Sequence, residues 1–207
     1  MTPRTLLALI LPLLCLQVTS PALAAERSLA DSLEQSISFL MQAKDRIDRS
    51  PLDSLARTQL DLRVSEIYDW ADARPTLGPL KGRDWLLLGD LMAWLSNFGE
   101  RYAYDRCVNA YKHAGQDPEI EWEAFHSLLT AYEKVGFAPG VVTTGERLVE
   151  LDSRMAREEK VEYSLAVAHF KLGNKQEAQR WIKRYLKHHR KDPEGRSLKQ
   201  RIRKELR

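Results

Sequence analysis

The stretch from Tyr163 to Ala178 constrains the fold most strongly, because it predicts two helices joined by a tight turn. Small and apolar residues recur in it at steps of three and four residues, the spacing that places side chains on one face of a helix. Gly173 follows the last of these residues, and glycine readily adopts the left-handed backbone conformation that ends many helices. The returning helix contains Ala178, whose small side chain allows close packing. We therefore predict an antiparallel pair of helices here.

Helical periodicity extends through nearly all of the chain beyond its first residues, and no stretch shows the alternation of polar and apolar residues that is typical of β-strands. A first helix is predicted from Ser28, a good N-cap residue. A second helix is predicted with Ser50 as its N-cap and Pro51 at its first position, and it should end before Pro75. We expect these two helices to form an N-terminal hairpin over residues 25–75, either as a divergent repeat or as a cap.

Internal repetition appears in the next part of the chain. Trp85, Leu88 and Gly89 follow one another at the spacing Trp-x2-Leu-Gly, and equivalent leucines fall at Leu88, Leu128 and Leu165, 40 and 37 residues apart. This pattern resembles the tetratricopeptide repeat (TPR) family, whose helix pairs repeat about every 34 residues. The longer separations arise from longer loops and helices, so the repeats are degenerate.

The resemblance implies an all-α fold in which antiparallel helix pairs stack as a right-handed solenoid. About three repeats would cover residues 83–192. The last predicted helix, within residues 193–207, has few apolar residues and would form a basic C-terminal cap, which repeat proteins use to cover their final apolar face. Gly145 lies inside a predicted helix, where it indicates either close packing against a neighbour or a weak point.

The first helix of each TPR unit lines a concave groove in which peptides bind. The resemblance implies that the groove-facing residues of this chain are Arg83, Leu86, Asp90, Trp94, His126, Thr130, Glu133, Tyr163, Val167, Phe170 and Lys171. This aromatic and amphipathic set differs from the lysine and asparagine set with which some TPR domains hold a C-terminal carboxylate. Exposed aromatic residues there would anchor a ligand. The alternative is that Tyr163 and Phe170 pack against a neighbouring repeat.

Residues 1–24 have the features of a cleaved signal peptide: a cationic start, a short apolar run and an Ala-x-Ala site, with the cut expected after Ala24 or Ala25. A retained membrane anchor is the alternative, but the apolar run is too short to span a bilayer. Cleavage would leave Cys107 as the only cysteine, which we expect to be a buried small residue rather than a reactive thiol. With no internal disulfide and no Asn-x-Ser/Thr site, we favour a bacterial periplasm over a eukaryotic secretory compartment.

Positive charge is concentrated at the C-terminal end. Residues 180–207 contain twelve basic and three acidic residues, a net charge of +9 in a chain whose total is +3, so the remainder is acidic. One group of cations forms a predicted basic patch for an anionic lipid or polysaccharide: Lys183, Arg184, Lys187, Arg190 and Lys191. The alternative is that these charges solubilise the cap and pair with the acidic body. Nucleic acid fits poorly with an exported protein.

Motifs for catalysis or metal binding are missing from the sequence, including Gly-x-Ser-x-Gly, a phosphate-binding loop and His-Glu-x-x-His. His188 and His189 are adjacent, but neighbouring side chains on a helix point too far apart to chelate a metal well. We therefore expect no cofactor, no metal and no enzymatic activity. The predicted function is that of an exported adaptor that holds a protein or peptide partner in its groove, in the assembly of an envelope complex. The alternative is an anionic-ligand binder that acts through the basic C-terminal helices.

Overall fold

The computed structural model describes residues 28–49 and 52–206, and these ranges contain helices but no strands, as predicted. The predicted leader, residues 1–24, lies outside the described residues. Within them, no helix combines the length and the apolar character needed to cross a membrane. In chain order the helices are α1 (Leu29–Arg49), α2 (Ser54–Asp72), α3 (Arg74–Leu77), α4 (Gly82–Asn97), α5 (Ala103–Ala114), α6 (Glu121–Val135), α7 (Ala138–Leu151), α8 (Ser153–Glu158), α9 (Val161–Lys171), α10 (Lys175–His188) and α11 (Pro193–Glu205).

Helix α1 lies mainly against α4 and has only a small contact with α2. Ser28 is its N-cap, as predicted, because the Ser28 hydroxyl accepts the backbone N–H of Asp31 at 3.1 Å. The helix buries Leu33 and Leu40 in the common core. Helix α4 buries seven residues, whereas α2 buries four, so α4 offers the larger apolar face. The expected close hairpin between the first two helices is therefore replaced by packing of α1 on α4.

Helix α2 begins later than the sequence predicts. Asp53 is not helical, and its carboxylate accepts the backbone N–H of Ala56 at 2.7 Å, which makes it the N-cap. A side-chain oxygen that satisfies a free N–H of the first turn fixes the start of a helix. The predicted cap residues, Ser50 and Pro51, lie outside the described residues.

Consecutive helices then form pairs, with α4 packed against α5, α6 against α7 and α9 against α10. Successive pairs meet where α5 contacts α6 and where α7 contacts α9. Two of these contacts depend on glycine. A Cβ atom on Gly89 would lie 2.5 Å from the Tyr111 ring, and one on Gly145 would lie 2.9 Å from the side chain of Leu165. Of the two alternatives for Gly145, the structure therefore supports close packing against a neighbouring helix.

The C-terminal helices follow the pattern of two helices joined by a tight turn that residues 163–178 predict. Gly173 ends α9 with a φ of 79°, the left-handed conformation predicted for it. Helix α11 packs against α10 and touches α9, and it buries Leu198 and Ile202. Asp192 caps α11, since its carboxylate accepts the N–H of Gly195 at 3.0 Å. The final helix is thus fixed across the last helix pair.

Candidate functional site

A hollow of about 210 Å³ lies between α6, α7 and α9. Helices α6 and α9 are the first helices of two successive pairs, so the hollow lies where the resemblance implies a ligand groove. The three helices and the turn after α6 supply the residues that line it: Glu133, Gly136, Ala138, Val141, Tyr163, Ser164, Val167, Ala168 and Lys171.

The hollow combines an apolar floor with charged edges. Ala138, Val141 and Ala168 are buried, whereas Glu133 near the end of α6 and Lys171 at the end of α9 are exposed. These two side chains carry opposite charges. Neither forms an ion pair with another residue in the part of the chain that the structure describes. Both charges are therefore open to a ligand.

Four of the predicted groove residues line this hollow: Glu133, Tyr163, Val167 and Lys171. They come from two different helix pairs, and they meet because α7 packs against both α6 and α9. Tyr163 also packs against Tyr185, with ring centroids 5.4 Å apart, and burial raises the pKa of its hydroxyl. Tyr163 therefore lines the hollow and also packs against α10, as the alternative predicted.

The start of α7 contributes lining residues that the sequence analysis missed. Gly136, Ala138 and Val141 belong to the turn before α7 or to α7 itself, whereas the resemblance assigns the groove to first helices alone. The available signal in the sequence was the small size of Gly136 and Ala138. Gly136 turns the chain with a φ of 72°.

Two predicted groove residues on α4 instead face the interior. Leu86 is only 5% exposed and belongs to the core, so its predicted groove position is wrong. The Asp90 carboxylate accepts a hydrogen bond from the Tyr111 hydroxyl at 2.8 Å, and burial raises the pKa of Asp90. The physical reason is that α4 is covered by both α1 and α5, which makes its buried face wider than a single repeat implies.

The remaining predicted residues of α4 and α6 make contacts within the chain and lie outside the hollow. Arg83 forms an ion pair with Glu123 at 3.4 Å, which links α4 to α6. Trp94 is half-buried against the core. The ring of His126 stacks on a tryptophan of its own helix, with centroids 4.9 Å apart, and its carbonyl accepts a hydrogen bond from the Thr130 hydroxyl.

Phe170 lies beneath α11 and does not line the hollow. The guanidinium carbon of Arg201 is 5.3 Å from the centroid of its ring, a distance at which a cation is attracted to the face of an aromatic ring. Phe170 therefore packs against a neighbouring helix, as the alternative predicted, and does not occupy the groove position.

All residues of the predicted basic patch are exposed, but one of them is tied to the body of the protein. The Nε atom of Arg184 lies 2.5 Å from Oε1 of Glu162, a fully buried carboxylate on α9. The guanidinium of Arg184 also lies 5.3 Å from the Trp181 ring centroid. Lys183 and Lys187 form no ion pair with other residues of 28–49 and 52–206. Of the patch residues, Arg184 therefore pairs with the body of the protein, as the alternative to ligand binding predicts, and the others are exposed to solvent.

Cys107 is buried on α5, as expected. Burial raises the pKa of its thiol to about 12, so the thiol is protonated near neutral pH and a poor nucleophile. Among the described residues, no three His, Cys, Asp or Glu side chains are close enough together to hold a metal ion.

Residues 160–207 match a protein-family model described as the Fis1 C-terminal tetratricopeptide repeat. The match covers α9, α10 and α11, and it includes both the stretch from Tyr163 to Ala178 and the final helix. A comparison with curated proteins gives no match. Tetratricopeptide repeats are in general non-enzymatic modules that bind protein partners. Residues 160–207 are therefore similar to the tetratricopeptide repeat family, and the described helices as a whole form an all-α fold of the TPR-like helical repeat type.

Proposed function

We propose that this protein is a non-enzymatic adaptor that holds a peptide segment of a partner protein in the hollow between α6, α7 and α9. The strongest support is the convergence of Glu133, Tyr163, Val167 and Lys171 on one hollow. The TPR resemblance implies all four as groove residues, and they come from two separate helix pairs. The family match to residues 160–207 adds that α9, which supplies three of them, belongs to a repeat type that generally binds proteins.

The chemistry of the hollow favours a short segment with an apolar side chain between polar groups. Val141 and Val167 offer apolar surface, and burial of a ligand side chain against them would supply affinity. Glu133 can accept hydrogen bonds from ligand N–H groups, and Lys171 can donate to a carbonyl or carboxylate, so the pair would fix the direction of the segment. At about 210 Å³ the hollow is smaller than typical pockets for drug-sized ligands. It suits individual side chains of an extended segment.

We place this adaptor in the bacterial periplasm, where it would serve the assembly of an envelope complex. The support is the leader pattern of residues 1–24, together with the lack of an internal disulfide or an Asn-x-Ser/Thr site after it.

N-terminal sequencing of the protein from a periplasmic extract should show that it begins at Ala25 or Glu26. Cytosolic protein that keeps residues 1–24 would contradict this location.

Filling the hollow should abolish peptide binding. Peptides selected from a random phage-displayed library on residues 25–207 would be measured against Val167→Trp, which fills the floor, and Lys171→Glu, which reverses the edge charge. We expect each variant to bind at least about tenfold more weakly, because anchor contacts at the centre of an interface are each worth more than about 1.4 kcal/mol. The measurement is a titration by isothermal calorimetry or fluorescence anisotropy.

The matched control is Lys183→Glu, which reverses an exposed charge on α10 outside the hollow. Its peptide affinity should stay within about twofold of the parent value, because exposed charges away from an interface contribute little. Thermal unfolding of each variant shows that it is folded. Peptides that bind Val167→Trp and Lys171→Glu as tightly as the parent protein would rule out this hollow as the binding site.

A further inference from the structure

A second hollow, of about 290 Å³, lies between the end of α10 and α11. Four of its six lining residues are cationic, none is acidic, and only Arg190 belongs to the predicted basic patch. The lining residues are Leu186, Arg190, Arg196, Lys199, Gln200 and Arg203.

Helical spacing and one hydrogen bond bring these cations together. Arg196, Lys199 and Arg203 follow at steps of three and four residues on α11, so they share one face of that helix. Arg190 lies in the turn after α10, and its carbonyl accepts a hydrogen bond from Nε of Arg196 at 2.8 Å. This bond fixes the guanidinium of Arg196 beside Arg190, with its two terminal nitrogens still able to donate.

The charges in this hollow are uncompensated, in contrast to other cations nearby. Lys175 pairs with Glu205, Arg180 with Glu177 and Arg184 with Glu162. None of the four cations of the hollow has an ion-pair partner in residues 28–49 and 52–206. Like charges held close together repel one another, so a bound anion would stabilise this arrangement.

We propose that this hollow is a binding site for a phosphate group. The planar guanidinium of arginine matches the geometry of phosphate oxygens and can bind them through two parallel hydrogen bonds. A phosphate monoester carries close to two negative charges at neutral pH, so it needs more than one cation to neutralise it. The volume lies near the lower end of the range for small-molecule pockets. The phosphate can belong to a soluble molecule or to a lipid headgroup, and the site is independent of the peptide groove.

The test compares two triple variants of residues 25–207 that lose the same charge. The site variant carries Arg196→Gln, Lys199→Gln and Arg203→Gln, and the control carries Lys183→Gln, Lys187→Gln and Lys191→Gln on the predicted basic patch. Inorganic pyrophosphate is titrated by calorimetry, and sedimentation is measured with phosphatidylcholine vesicles, alone or mixed with phosphatidylglycerol. The single variant Arg203→Gln, which removes only the charge of an exposed side chain, provides a folded site variant if the triple variant unfolds.

We expect pyrophosphate to bind the parent protein and the control within about twofold of each other. The site variant should bind at least about tenfold more weakly, and Arg203→Gln more weakly than the parent, because each charge-assisted hydrogen bond is worth more than about 1.4 kcal/mol. Sedimentation with acidic vesicles that pyrophosphate competes away would identify a lipid headgroup as the source, and pyrophosphate binding alone would identify a soluble phosphate. Equal losses in both triple variants, no binding of pyrophosphate to the parent, or vesicle binding that pyrophosphate does not compete would each overturn the site.

Discussion

Replacement of Arg184 by methionine is expected to lower the free energy of unfolding by about 3 kcal/mol. The Glu162 carboxylate is fully buried, and Arg184 is its only ion-pair partner among the described residues. Methionine keeps much of the side-chain length beside Trp181 but removes the charge. Loss of one partner from a buried pair is costly because the other charge stays out of water without compensation. Urea unfolding at pH 7, followed by circular dichroism, measures the effect.

Two further variants show whether the buried charge is the cause. The double variant Glu162→Gln and Arg184→Met should recover at least about 1 kcal/mol relative to Arg184→Met, because the uncompensated charge is gone. Lys183→Met makes the same kind of change on an exposed neighbour and should stay within about 0.5 kcal/mol of the parent protein. Equal losses for Lys183→Met and Arg184→Met, or no recovery in the double variant, would be incompatible with a stabilising ion pair between the partly exposed Arg184 and the buried Glu162.

Gly89→Ala should also destabilise the protein, by about 2 kcal/mol. Alanine in a helix is ordinarily more favourable than glycine by about 1 kcal/mol. A loss of stability on Gly89→Ala would therefore be the opposite of the ordinary effect of this substitution. The added Cβ atom would lie 2.5 Å from the Tyr111 ring. That ring is only 3% exposed and its hydroxyl is bonded to Asp90, so it has little room to move away. Overpacking of this kind forces side chains and backbone to shift.

The same substitution in a Tyr111→Leu background isolates the clash. Without the aromatic ring, Gly89→Ala should cost at least about 1 kcal/mol less than in the parent background, as contacting residues show coupled effects. Thermal unfolding of the parent, the two single variants and the double variant gives the coupling energy. An identical cost of Gly89→Ala in both backgrounds would mean that the contact between α4 and α5 is not what requires glycine.

Helix pairing was predictable because its causes are local. The left-handed turn at Gly173 and the cap at Ser28 depend on residues a few positions apart, and the structure has both. The α9 part of the candidate site was predictable for the same reason. The TPR resemblance implied Tyr163, Val167 and Lys171 as groove residues, and their spacing of four residues places them on one helix face, where all three line the hollow.

The features that the sequence analysis missed depend on contacts between distant segments. Leu86 was assigned to the groove, but α1 covers α4 and widens its buried face. No local pattern on α4 reveals that α1 passes over it. The burial of Glu162 likewise could not be predicted from α9 alone, because it depends on α10, which packs against α9 and brings Arg184 to Glu162. The cations of the second hollow meet only because the turn after α10 lies beside α11.

Photo-crosslinking in the cell tests most directly whether the hollow between α6, α7 and α9 holds a partner protein. A photoreactive phenylalanine analogue would replace Tyr163, which lines the hollow, or Tyr102, an exposed aromatic residue outside it. After irradiation, we predict a covalent adduct with a second protein from position 163, no such adduct from position 102, and loss of the adduct when Val167→Trp fills the hollow. Adducts of equal yield from both positions, or an adduct from position 163 that persists with Val167→Trp, would contradict the proposed groove.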